Sequence, residues 1–150
     1  VPCFNEEESI PLFHEAMEAV KYQIRDQFEY IFVNDGSTDR TLAVLREFSS
    51  RCPDVHYLSF SRNFGKEAAL YAGLQEASGE FVTVMDVDLQ DPPELLIEMK
   101  TMLDTNPELD CVGTRRTTRE GEPPIRSFFA NLFYKLINKI SQVEMVDGAR

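Results

Sequence analysis

No run of about 18 apolar side chains occurs anywhere in these 150 residues, so no segment is suited to cross a bilayer. A charged-then-apolar leader of the secretory type is missing too. The chain opens at Val1-Pro2 without Met and closes at Arg150 after a Val-Asp-Gly turn, which reads as a piece excised from something longer. Cysteines are few: Cys3, Cys52 and Cys111 lie far apart and form no Cys-x-x-Cys, the pattern of reduced structural thiols in a cytosolic setting. The two histidines, His14 and His56, have no partners at metal-ligand spacing and are expected on helix or strand surfaces. Positive charge is short as well. Fifteen Lys and Arg against 26 Asp and Glu give a net charge of −11, which disfavours non-specific binding to nucleic acid. There is no internal repeat and no low-complexity tract.

What charge there is lies unevenly. Residues 111–150 carry seven basic and four acidic side chains, which leaves −14 on residues 1–110. A basic tail on an acidic body suggests an anionic partner near the C-terminal end. An apolar fraction of 43% with 27% charged residues is ordinary for one globular α/β domain of this length.

Strand and helix signals alternate. Ser9 can cap a helix with Pro11 in its first turn, and Ile10, Leu12, Phe13, Ala16, Met17, Val20 and Ile24 form its apolar face. Tyr30-Ile31-Phe32-Val33 reads as a strand covered on both sides. It ends at an Asn34-Asp35-Gly36 turn, after which Ser37 or Thr38 can cap a helix with Leu42, Leu45 and Phe48 inward. A strand at Val55 to Phe60 and a helix from about Lys66 to Ala77, closed by Gly79, follow. Phe81 to Met85 and Leu109 to Val112 are expected as further strands. Between them Asp91-Pro92-Pro93-Glu94 is a strong helix start. Residues 114–124 are polar and expected as a loop; Phe128, Phe129, Leu132, Phe133, Leu136, Ile137 and Ile140 mark an amphipathic helix for the sheet or for a bilayer interface. The alternation predicts a three-layer α/β/α fold with a mostly parallel sheet. We divide it into a core over 1–122 and an incomplete acceptor-side segment over 123–150 of the same domain.

In such sheets ligands bind beyond the carboxyl ends of the strands. Those ends carry Asn5-Glu6, Asp35, Arg62-Asn63, and Asp86 with Asp88. In Met85-Asp86-Val87-Asp88-Leu89-Gln90-Asp91, alternation points Asp86 and Asp88 the same way, with Gln90 continuing that side. Two carboxylates and an amide oxygen suit Mg²⁺ or Mn²⁺, leaving positions for a diphosphate. Asp91 is left to capping. Asp35 can accept the ring N–H of a uracil or the N–H groups of a guanine, whereas Asp39 serves a helix N-terminus. Glu6, nearest its strand among Glu6, Glu7 and Glu8, is the candidate for a ribose hydroxyl. The loop Ser61-Arg62-Asn63-Phe64-Gly65-Lys66-Glu67 can hold phosphate through backbone N–H groups and charge, with Asn63 and Lys66 as its candidates. Arg115, after Gly113-Thr114, can steady a leaving diphosphate.

Five segments, Val-Pro-Cys-Phe-Asn-Glu-Glu, Val-Asn-Asp-Gly-Ser-Thr-Asp, Ser-Arg-Asn-Phe-Gly-Lys-Glu-Ala-Ala, Met-Asp-Val-Asp-Leu-Gln-Asp-Pro-Pro-Glu and Val-Gly-Thr-Arg, occur in that order. Together they resemble the family 2 glycosyltransferases of GT-A fold, and more narrowly the polyprenyl-phosphate branch. The resemblance covers the whole chain, truncated at both ends. It implies that Asp86, Asp88 and Gln90 of the DXD motif approach a divalent metal, Mg²⁺ or Mn²⁺. It places Pro2, Phe4, Glu6 and Asp35 around the nucleoside, and Arg115 or Arg126 near phosphates, Arg126 serving the acceptor phosphate.

The activity implied is inverting transfer of a sugar from a nucleotide sugar, UDP-linked in preference to GDP-linked, to a polyprenyl phosphate in building the cell envelope. The parent protein would act at the cytoplasmic face of the membrane, with this fragment soluble and a homo-oligomer compatible with it. Asp88 and Asp147 are the catalytic candidates, Asp147 as base or acceptor-positioning group. Transfer to a sugar hydroxyl and a nucleotide-binding fragment without activity are the alternatives. A sugar-phosphate nucleotidylyltransferase would need a glycine-rich loop after the first strand, where Pro2-Cys3-Phe4-Asn5-Glu6 has no glycine.

Overall fold

The structure, a computed structural model, describes residues 1–114. The elements in order are β1 (Pro2–Cys3), α1 (Ser9–Ile24), β2 (Tyr30–Asn34), α2 (Thr41–Arg51), β3 (Val55–Ser59), α3 (Lys66–Glu76) and α4 (Leu95–Thr105). The chain forms two compact units, Val1–Glu98 and Met99–Arg150, and the sheet belongs to the first. Arg115, Arg126, Asp147, the 123–150 segment and its amphipathic helix lie outside the described residues.

The sheet is parallel, in the order β1-β2-β3. Cys3 pairs with Asn34, and Asn34 with Ser59, so all three strands end level and their following loops leave from one rim. Alternation along β2 separates the faces. Phe32 meets the Phe13 ring of α1 edge-on at 6.0 Å, whereas Val33 faces the Gly73 backbone of α3. Helices therefore cover both sides, which is why β2 is a nearly unbroken apolar run. Ile10, Phe13, Met17 and Val20 of α1 are buried at helical spacing, joined by Leu45 of α2. Leu12, expected on that face, is exposed because its position turns away from this stripe.

Helix starts differ from expectation in detail. Ser9 does not cap α1 from outside; it is the first helical residue, and its hydroxyl donates to Glu6 Oε2 at 2.6 Å. Ser37 and Thr38 do not cap α2, which begins at Thr41, and Asp39 Oδ1 accepts the Thr41 N–H instead. The Pro92-Pro93-Glu94 carbonyls accept tight bonds from Leu95, Leu96 and Ile97, so α4 opens with the turn anticipated there.

Two expected strands are not formed. Residues 81–85 run as irregular chain with Phe81, Val82 and Val84 exposed. An apolar run becomes a strand only against a pairing edge that satisfies its N–H and C=O groups, and among the described residues 81–85 join no sheet. Residues 109–112 are likewise irregular, and the Leu109 N–H closes a turn onto Asn106. His14 is also not a surface residue: its ring packs edge-on against Tyr30 and Phe48, at 5.2 and 5.1 Å. His56 is exposed on β3 as expected. No helix among the described residues is long and apolar enough to cross a membrane.

Polar ties close the end of the sheet opposite the rim. Lys21 bonds both Asp54 and Glu18, and the Tyr30 hydroxyl donates to Glu18 at 3.0 Å. Glu29 Oε1 accepts the Ser78 N–H, the Ser78 hydroxyl and the Gly79 N–H, at 2.7, 3.0 and 2.8 Å. Gly79 thus ends up bonding Glu29 rather than stopping α3, whose last residue is Glu76.

The Ser78 backbone bond, with the other two, holds the Glu29 carboxyl below its ordinary range. A carboxyl that binds its proton more weakly when folded stabilises the fold above its unfolded pKa and loses that contribution as pH falls through the folded value. Glu29→Gln should therefore lower the urea midpoint at about pH 7, and the gap to the parent chain should narrow at about pH 3. Burial pushes the Cys3 thiol up to about 12. A disulfide reagent should label exposed Cys111 at once and reach Cys3 only after denaturant is added, which mass mapping of the labelled peptides would show.

Candidate functional site

Because the three strands end level, the chain following each is brought to one rim, and the β2–α2 turn ties these loops together. Asn34 spans outward from the turn, its Nδ2 donating to Ser59 Oγ at 3.0 Å and its Oδ1 accepting the Ser37 N–H at 3.1 Å. Asp35 is 4% exposed and accepts the Phe64 N–H on Oδ1 at 2.7 Å and the Gly65 N–H on Oδ2 at 2.9 Å. Gly36 takes φ +66, and a Cβ there would lie 2.3 Å from the Arg62 carbonyl carbon. Only glycine allows that approach. On the other side, Asn5 Oδ1 accepts the Thr38 N–H at 2.9 Å, the Asn5 N–H donates to Ser37 Oγ at 3.0 Å, and the Glu6 N–H donates to Thr41 Oγ1 at 2.8 Å.

These bonds frame a groove of about 430 Å³ lined by Pro2, Cys3, Phe4, Glu6, Asp35, Asn63, Gly65, Lys66, Asp86, Val87 and Asp88. Eight of the residues singled out from the sequence meet there: Pro2, Phe4, Glu6, Asp35, Asn63, Lys66, Asp86 and Asp88. Asp86 and Asp88 flank Val87, which is buried in the core, so the alternation that points both carboxylates one way survives without a strand. Gln90 does not line the groove. Leu89 takes φ +56 and the Gln90 N–H folds back onto Asp88 Oδ1 at 3.1 Å, which ends the alternation before residue 90.

The Ser61–Glu67 loop also differs from its sequence reading. Two of the N–H groups expected to cradle a phosphate, those of Phe64 and Gly65, already donate to the buried Asp35 carboxylate. The anion at this helix start is the chain's own. Asp35 still presents lone pairs, since an ionised carboxylate offers about four acceptor positions. Of the two loop cations, the Arg62 guanidinium stacks over the Phe64 ring at 4.9 Å, and only Lys66 reaches the groove. Its ammonium lies 2.6 Å from Asp86 Oδ1 and 2.8 Å from Oδ2.

Chemically, the groove joins a half-exposed aromatic face (Phe4), a carboxylate with one oxygen engaged by Ser9 (Glu6), a lysine and three aspartates. That set suits a base, a ribose and a cation-bound diphosphate. Among the described residues no three His, Cys, Asp or Glu side chains converge as a metal site. A hard cation held by Asp86 and Asp88 would draw its remaining oxygens from a ligand and water, as Mg²⁺ commonly does. The loop clamp at Asp35, the close approach at Gly36 and the Lys66–Asp86 pair escaped sequence reasoning. Of these, only Gly36 left a signal, as the third residue of an Asn-Asp-Gly turn.

Gly36→Ala should destabilise the chain by at least about 2 kcal/mol, from a backbone clash added to a left-handed conformation. Chemical denaturation would measure the loss.

Comparison with known proteins agrees with this geometry. Residues 1–148 match the family described as Glycosyl transferase family 2. The bactoprenol glucosyl transferase of Shigella phage SfV is 42% identical over 94% of this chain and 45% of its own length. The prophage bactoprenol glucosyl transferase homolog of Escherichia coli (strain K12) is 40% identical over 99% of this chain and 48% of its own. The chain thus spans a little under half the length of these curated relatives. Among solved structures, the mannosyltransferase PcManGT from Pyrobaculum calidifontis in complex with GDP-Man and Mn²⁺ superposes with a TM-score of 0.61 at 27% identity, covering 77% of this chain and 34% of that one. A parallel sheet with helices on both faces, a carboxylate-rimmed groove at its strand ends and a match over nearly every residue lead to one assignment: this chain belongs to glycosyl transferase family 2, with a GT-A fold.

Proposed function

We propose that this chain forms the donor-binding part of an inverting, metal-dependent glycosyltransferase that moves a sugar from a UDP-sugar to a polyprenyl phosphate at the cytoplasmic face of a membrane. The observation that carries the reading is the single groove in which Phe4, Glu6, Asp35, Lys66, Asp86 and Asp88 meet. The bactoprenol glucosyl transferase names of the relatives support a polyprenyl phosphate acceptor, and the Mn²⁺ in the solved neighbour supports a divalent cation. That neighbour's GDP-Man keeps a GDP-sugar as the second donor to test.

In this reading Phe4 and Pro2 border the base, Glu6 accepts from a ribose hydroxyl, and Asn63 and Lys66 face the phosphates. Asp86 and Asp88 would hold Mg²⁺ or Mn²⁺, hard cations that favour carboxylate oxygen. Bound there, such a cation would supply positive charge against the negative charge of a nucleoside diphosphate. An oxygen of the acceptor phosphate forms the new bond to the anomeric carbon from the face opposite the breaking bond, which inverts that centre. The acceptor is anionic at neutral pH, so the chain need not supply a strong base. Asp147 then serves to position the acceptor, with Arg126 on its phosphate and Arg115 on the diphosphate.

The test is a thermal-shift series with UDP-glucose and GDP-mannose, each with Mn²⁺ or with chelator. A donor at about a hundred times its Kd stabilises the fold by about 2.7 kcal/mol, which for a chain of this size is a rise of roughly 5–10 °C. Asp88→Ala should abolish the Mn²⁺-dependent part of that rise. An unchanged rise in the variant would remove Asp88 from the metal site. Transfer of labelled sugar to added polyprenyl phosphate, against none to a sugar hydroxyl, would establish the acceptor.

A further inference from the structure

The Lys66 ammonium lies 2.6 and 2.8 Å from the two oxygens of Asp86. Both side chains are about half exposed, so burial does not force the pair together. What brings them together is the frame around them. Lys66 is the first residue of α3, and the residue before it, Gly65, is held at φ +96 with its N–H on Asp35. Asp86 is set by its neighbour Val87, which is buried in the core. The ammonium is thereby presented to both oxygens of one of the two carboxylates available to a cation.

A divalent cation takes a carboxylate oxygen at about 2.0–2.1 Å for Mg²⁺. It would then lie beside an ammonium already 2.6 Å from that oxygen, and the two positive charges repel. Lys66 and the cation cannot both be well bound to Asp86. A nucleoside diphosphate changes this balance, because its phosphates give the lysine another anion within the same groove. We infer that Lys66 is an internal competitor for the cation at Asp86, and that the donor's diphosphate relieves the competition by drawing the ammonium to itself, so that cation and nucleotide bind with positive coupling through this side chain.

The inference rests on the donor-site reading above and adds an order of preference to it: the cation binds well only together with the nucleotide. By linkage the factor by which UDP tightens Mn²⁺ equals the factor by which Mn²⁺ tightens UDP. A device of this kind would keep the groove from retaining a bare cation.

The experiment measures Mn²⁺ binding by the loss of the free-ion electron paramagnetic resonance signal, without nucleotide, with UDP and with GDP, for the chain, Lys66→Met and Lys66→Arg. Circular dichroism and melting temperature confirm that each variant is folded. Exposed ion pairs are weak, so Lys66→Met should bind Mn²⁺ alone roughly three- to fivefold more tightly. Its UDP affinity in the presence of Mn²⁺ should fall, and the coupling factor should shrink towards one. Lys66→Arg, which keeps the charge, should restore part of the coupling. If Lys66→Met binds Mn²⁺ alone no more tightly than the parent chain and couples it to nucleotide equally well, the competition is overturned while the donor site stands. If the parent chain binds no Mn²⁺ even with UDP or GDP, the donor-site reading fails and this inference fails with it.

Discussion

A buried carboxylate holding two backbone N–H groups organises the rim of this sheet. Asp35 sits at the carboxyl end of the central strand, and its two oxygens reach the Phe64 and Gly65 amides. Bonds to an ionised acceptor are worth more than neutral ones, and leaving such a group buried without them is costly. The loop before α3 therefore has one favourable position. Gly36 completes the constraint by letting the β2–α2 turn lie against the Arg62 and Asn63 backbone. With Asn34 bonded to Ser59 and Asn5 latched to Ser37 and Thr38, all three loops at the rim take their placement from one turn.

This arrangement explains how a chain carrying a large excess of acids can collect several of them in one groove. Each carboxylate there has a partner of its own: Asp35 has two backbone amides, Glu6 the Ser9 hydroxyl, Asp86 the Lys66 ammonium and Asp88 the Gln90 backbone amide. The acids are thus held apart in defined orientations. Preorganised groups lose less freedom when a ligand binds, which is how a rigid rim helps a small charged ligand. The two aspartates differ in consequence. Asp86 is answered by a flexible cation that can exchange partners, whereas Asp88 is tied into its own turn.

The stretch that follows α3 shows what the same physics leaves open. Apolar side chains at 81, 82 and 84 carry the pattern of a covered strand and yet stay exposed, in a stretch that joins no sheet among the described residues. Hydrophobic pattern states a tendency to be buried, and only a neighbouring edge and a covering layer satisfy it. His14 is the reverse case: a residue type often met at surfaces is drawn inward because the α1 position it occupies faces Tyr30 and Phe48.

Local chemistry written along the chain was enough to place α1 to α4 to within a few residues at their starts, the β2 run, the Asn34-Asp35-Gly36 turn and the same-side projection of Asp86 and Asp88, since each depends on neighbours within a few residues. It was also enough to bring eight of the groove's residues under suspicion, because strand ends in a parallel sheet are where ligands bind. Folding in three dimensions decided the rest. That Asp35 serves residues 29 and 30 positions away, that Lys66 answers Asp86 across 20 positions, and that Gln90 turns out of the groove are outcomes of chain meeting chain. Charge and hydrogen-bonding capacity are properties of a residue, but which partner claims them is set by distances that the order of residues does not contain.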